Sequence, residues 1–96
     1  MSQTPALRHL LRSVATRRSY IQHQRKAAAR LLIASLMAEG VTQTTMAKQI
    51  GLTQAAISNN FHGITTPSLT TIRHLMRLAE MKGLPIPKAV AQWQEL

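Results

Sequence analysis

Thr42-Gln43-Thr44-Thr45-Met46-Ala47-Lys48-Gln49-Ile50-Gly51-Leu52-Thr53-Gln54-Ala55-Ala56-Ile57-Ser58-Asn59-Asn60-Phe61-His62-Gly63 is the stretch that decides the fold. It spells two short helices joined by a glycine turn. Gln43 opens the first helix and Ala47 follows four residues later, on the face where the second helix must cross closely and a larger side chain would wedge the pair apart. Gly51 falls just past the end of the first helix, where the chain turns sharply and a positive φ costs little only for glycine. Met46, Ile50, Leu52 and Ile57 are expected to point into a shared core. Thr42 and Thr53 stand where helix N-caps belong, and Thr45 occupies the place where a Glu or Gln would have completed a capping box.

Outward from this stretch almost everything reads as helix. Thr4-Pro5 is a cap followed by a proline at the first helical position. Leu7, Leu10, Leu11 and Val14 recur at i, i+3, i+4 and i+7, the spacing of an amphipathic helix over about 5–18. The pattern resumes over about 20–38 with Ile21, Ala28, Leu31, Leu32, Ser35 and Leu36, and Gly40 ends it. Ser19 either separates two helices or sits within one. After the loop 64–67, Ser68 caps a helix to about Lys82 whose inner face carries Leu69, Ile72, Leu75, Met76 and Ala79. Pro85 and Pro87 interrupt the chain beyond Gly83, and residues 88–95 have room for one last turn or two. No credible strand, internal repeat or low-complexity tract occurs. The expected class is all-α, a single domain of five or six helices.

Composition narrows the partners. The 96 residues suffice for one modest core, and they carry twelve Lys and Arg against three acidic residues, a formal charge of +9. Such an excess favours a polyanion, nucleic acid before an acidic membrane surface. The charge is uneven: Arg8, Arg12, Arg17, Arg18, Arg25, Lys26 and Arg30 all precede the first acid, Glu39. A lone Arg of this kind is ordinarily a solvated surface residue, but an unbalanced run points to phosphate contacts. Cysteine is absent, which excludes disulfides and thiolate metal sites. No apolar run approaches the roughly 20 residues that span a bilayer, and no secretory h-region opens the chain. The expectation is a cytoplasmic, nucleoid-associated protein without a membrane partner.

Enzymatic chemistry finds no footing. Glu39, Glu80 and Glu95 are too dispersed for a carboxylate pair. His9, His23, His62 and His74 lack i, i+4 ligand spacing, and no glycine-rich phosphate loop is present. Neither metal nor cofactor is expected.

The chain resembles the lambda-repressor-like, Cro-type (XRE) helix-turn-helix family of DNA-binding proteins. The resemblance rests on Gly40-Val41-Thr42-Gln43, Ala47, Ile50-Gly51-Leu52, Thr53-Gln54, Ile57-Ser58, Gly63 and Pro67-Ser68-Leu69, about sixty residues over 25–83. It divides the chain into a basic N-terminal helical extension (1–23), the helix-turn-helix domain (24–83) and a C-terminal tail (84–96). At one place the chain departs from the family, which usually has an apolar residue at the position of Asn60 and a polar one at that of Phe61.

The resemblance implies that the helix over 53–62 enters the major groove, with Gln54, Ala55, Ser58 and Asn59 against base edges. The chemistry suits this: Gln and Asn bond adenine bidentately and an alanine methyl meets the thymine methyl, so A·T pairs are expected in the half-sites. Gln43 with free backbone N–H groups would hold a phosphate at one edge, and Thr53 and Asn60 at the other. Lys48, Arg17 and Arg18 are further phosphate candidates. A pseudo-palindromic double-stranded operator read by a homodimer follows from the family's habit. Two apolar surfaces could pair the copies or fold back on their own core: Leu7, Leu10, Leu11 and Val14, or Ile86, Val90, Trp93 and Leu96, the latter favoured for its Trp. The expected function is a sequence-specific transcriptional regulator, a small repressor of plasmid, phage or bacterial type. Alternatives are an autorepressing antitoxin with a protein partner, and a weakly specific architectural DNA binder.

Overall fold

The computed structural model describes residues 5–91, with side chains described from Arg18 onward except at Ala89. Five helices follow one another: α1 Pro5–Ala38, α2 Gln43–Ile50, α3 Gln54–Phe61, α4 Leu69–Met81 and the single turn α5 Lys88–Ala91. The class is all-α, as the periodicity requires. Ser19 lies inside α1, one uninterrupted helix of 34 residues. At about 1.5 Å per residue such a helix is roughly 50 Å long, so much of it reaches beyond the other four.

Among the described side chains of α1, those that enter the core lie in its C-terminal half. Ala28, Ala29, Leu32, Ile33 and Leu36 are buried there with Met46 and Ala47 of α2, Ile57 of α3, and Ile72, Leu75, Met76, Leu78 and Ala79 of α4. The apolar face expected of α4 is the one buried, with Leu69 packed beside it. Three expectations are corrected, the first at Ile21, which is 41% exposed, upstream of the part of α1 that packs on the core. In the run Leu31-Leu32-Ile33, Ile33 is fully buried while Leu31 is 44% exposed; three adjacent apolar residues cannot share one face at 100° per residue. Leu52 is 37% exposed, because it lies past the turn, where the helical period no longer directs its side chain.

The caps are where the sequence puts them. Thr42 Oγ1 accepts the Thr45 N–H at 3.1 Å, Thr53 Oγ1 that of Ala56 at 3.1 Å, and Ser68 Oγ that of Thr71 at 3.1 Å. Each such cap is worth about 1 kcal/mol. Thr45 adds a reciprocal contact in place of the missing Glu or Gln, accepting the Thr42 hydroxyl at 2.9 Å. Gly51 ends α2 at φ 76°, ψ 31°, and the Leu52 N–H returns to the Ala47 carbonyl at 2.9 Å. This turn swings α3 across α2, so that Ala47 and Ile57 both lie in the interior.

The described part of the tail, to Ala91, folds back on its own domain. Val90 is fully buried and joins the core, with Leu84 and Ile86 packed against it. Val90 is therefore withdrawn as a dimerisation residue, since its side chain already has a full set of neighbours. Trp93 and Leu96 lie outside the described residues, and so do the side chains of Leu7, Leu10 and Leu11.

Candidate nucleic-acid interface

The outward face of α3 is set by the residues it buries. Ile57 points fully inward and Asn60 is buried at its C-terminal end. The opposite side is left to Gln54 and Ala55, both exposed, and to Ser58 and Asn59, both half-buried. These four positions recur at i, i+1, i+4 and i+5, forming one stripe along the helix. No residue of α3 is charged. The stripe offers two amides, a hydroxyl and a methyl, all held on a rigid helix.

At the N-terminal end of this stripe the two motif helices share a contact that sequence periodicity does not reveal. Gln54 Nε2 donates to Gln43 Oε1 at 3.0 Å across eleven residues. Gln43 Nε2 in turn faces Met37 Sδ at 3.8 Å, a weak acceptor. Gln43 thus fixes the amide of Gln54, whose own Oε1 and second N–H stay available. Beside the pair, the N–H groups of Gln43 and Thr44 fall in the first turn of α2, where no intrahelical carbonyl can reach them. An amide side chain, unbonded backbone donors and the positive end of a helix dipole are the elements of an anion site.

Thr53 is exposed. Its oxygen is engaged in the cap, and its hydroxyl proton is free to donate. Lys48 is exposed in the last turn of α2. Arg18 is exposed on the protruding half of α1, and the Arg17 side chain lies outside the described residues.

Asn60 behaves differently from its assignment as a phosphate contact. It is only 6% exposed, and its Oδ1 accepts the Thr65 hydroxyl at 2.9 Å. A buried amide needs such a partner, and here the bond ties the α3–α4 loop to the end of α3. Asn60 is therefore structural. This explains the exchanged order at Asn60-Phe61: the polar side chain turns inward to hold the loop. Phe61 is left partly buried, packed on the core and flanking α1 at His23, Lys26, Ala27 and Arg30. Its ring meets that of His62 edge-on, centroids 5.2 Å apart.

Among the described residues no group of three or more His, Cys, Asp or Glu could hold a metal ion. No described helix is long and apolar enough to cross a membrane.

Residues 32–83 match the model of the helix-turn-helix family. The matched span covers α2, α3, α4 and the buried end of α1, and leaves out the basic part of α1. Neither the curated proteins nor the solved structures contain a match to this chain. With its paired short helices, left-handed glycine turn and uncharged outer stripe, the chain belongs to the XRE-type, lambda-repressor/Cro-like helix-turn-helix family of DNA-binding transcription regulators.

Proposed function

We propose that the protein is a dimeric repressor that reads a pseudo-palindromic operator with α3 and blocks the promoter it occupies. The observation that carries this reading is the stripe Gln54, Ala55, Ser58 and Asn59. It is uncharged, oriented by a buried Ile57 on the reverse side, and pinned at one end by the Gln43–Gln54 bond. A surface without charge gains little from a generic phosphate backbone; its donors, acceptors and methyl group pair with base edges. Bidentate amide contacts favour adenine, so the half-sites contain A·T pairs.

Gln43 and the first-turn amides of α2 hold a phosphate beside these bases, with Thr53 and Lys48 adding donors. One α3 reads only a few base pairs. Two copies related by a two-fold axis, with recognition helices about 34 Å apart, read two half-sites on one side of the duplex. Trp93 and Leu96, or the Leu7, Leu10 and Leu11 stripe, join the copies.

Selection of bound duplexes from a random library tests this reading. The expected outcome is an inverted repeat bound at least about 10³-fold more tightly than unselected DNA at physiological salt. Near-equal binding of all duplexes would replace the repressor with an architectural binder that uses the basic part of α1. A selected site that is not a repeat would remove the two-fold dimer.

A further inference from the structure

A cleft of about 380 Å³ lies between α2 and α4, but the more informative concavity is smaller and sits at the far end of α3. It encloses about 280 Å³ between α1 and the start of the α3–α4 loop, lined by His23, Lys26, Ala27, Arg30, Phe61 and Gly63. We propose that this cleft is a phosphate-binding site, taking one phosphodiester of the DNA strand opposite the one held by Gln43. The inference rests on the DNA-reading role of α3 and extends the binding surface to residues outside the family-matched span.

The cleft is built for an anion. His23, Lys26 and Arg30 stand at i, i+3 and i+7 and therefore share one face of α1. Ala27, between them, is small enough to leave the floor open. Phe61 forms one wall, and Gly63, at φ 72°, has nothing within 4 Å of where a Cβ would stand. No carboxylate lines the cleft. The adjacent loop amides are already engaged: Gly63 donates to the Asn60 carbonyl, and Ile64 and Thr65 to that of Asn59. Affinity there must come from the side chains of α1, chiefly the ammonium of Lys26 and the guanidinium of Arg30, whose fork suits phosphate oxygens.

Position along α3 decides which anion. The Gln43–Gln54 pair marks one end of α3 and the cleft the other. Between them lies a helix of 8 residues, about 12 Å long at 1.5 Å per residue. A helix seated in the major groove is flanked by a phosphate backbone on either side, so groups at its opposite ends reach different strands: Gln43 one, and Lys26 and Arg30 the other. The exchange of Asn60 and Phe61 is part of the arrangement, because Asn60 holds the loop in and Phe61 supplies the wall.

The test compares the wild-type protein with Lys26→Gln plus Arg30→Gln, and with Lys82→Gln plus Lys88→Gln as a charge-matched control. Each binds the duplex recovered by selection and an unselected duplex of equal length across a range of salt. The cleft variant is expected to bind both duplexes on the order of tenfold more weakly. Its log K against log salt should be shallower by about 1, with selectivity and melting temperature unchanged. Ethylation interference should find a phosphate whose modification hurts the wild-type protein and the control but no longer hurts the cleft variant. An unchanged slope and an unchanged interference pattern in the cleft variant would overturn the site, as would an equal loss in the control. Failure of the wild-type protein to bind any duplex would instead overturn the DNA-reading role itself, and the site with it.

Discussion

Two exposed helical surfaces of this molecule differ in nearly everything except their secondary structure. The outer stripe of α3 is short, uncharged and fixed from behind by Ile57 and from the side by Gln43. The described basic surface of α1 carries Arg18, Lys26 and Arg30 with no acid on the chain before Glu39. Base edges are told apart by hydrogen-bond geometry, which demands a rigid stripe. Phosphates attract any cation within reach, which demands only charge. In the proposed function the two tasks are separate, and the reading face stays free of charge, so that its discrimination is not swamped by sequence-independent attraction.

The strongest way to break this comparison is to remove the support common to both surfaces. Ile57→Ala empties a site with no exposure and should cost about 2–5 kcal/mol of stability, read as a lower midpoint in urea unfolding. Selectivity and salt dependence should then fail together. A narrower change sharpens the contrast. Gln54→Ala should lose about 1–3 kcal/mol of discrimination at one base pair, with the salt slope retained, when selected and single-mismatch duplexes are compared. Because Gln54 is bonded to Gln43, Gln43→Ala should reproduce part of this loss, and the double variant should lose less than the sum. The mildest change lies on the other surface. Arg18→Gln should shift stability by no more than about 0.5 kcal/mol and flatten the salt slope by about 0.9, equally on all duplexes. A loss of selectivity from Arg18→Gln would show that the two surfaces are not separate after all.

The sequence carries much of the fold because caps and turns are local. Thr42, Thr53 and Ser68 each bond an N–H three residues ahead, and Gly51 takes the positive φ that its place after α2 demands. What stays hidden there depends on packing between segments. Leu31-Leu32-Ile33 is apolar throughout, and only contact with α4 and α3 selects which two turn inward. Leu52 follows a turn that resets the period. Val90 stands beyond two prolines, and its return to the core is a matter of long-range fit.

The interface follows the same division. The stripe on α3 is legible from periodicity once its buried face is known. The Gln43–Gln54 bond joins residues on different helices, and the cleft joins residues more than thirty positions apart, such as Lys26 and Gly63. Asn60 is the instructive error. Its amide is as suitable for a phosphate as that of Gln43, and only the neighbouring Thr65 hydroxyl and its burial reveal that it faces inward.

The unbroken α1 makes the molecule sensitive to phase. Its buried end, from Ala28 to Leu36, locks the helix against the core, and the same helix continues without interruption back to Pro5. Every residue upstream therefore inherits an angular setting from the core, advancing about 100° per position. One residue inserted after Ala27 would turn the upstream backbone by that angle relative to α3 and carry Lys26 away from Phe61, with composition and net charge left almost as they were. Helical register, as much as charge, is what keeps the basic surface in position.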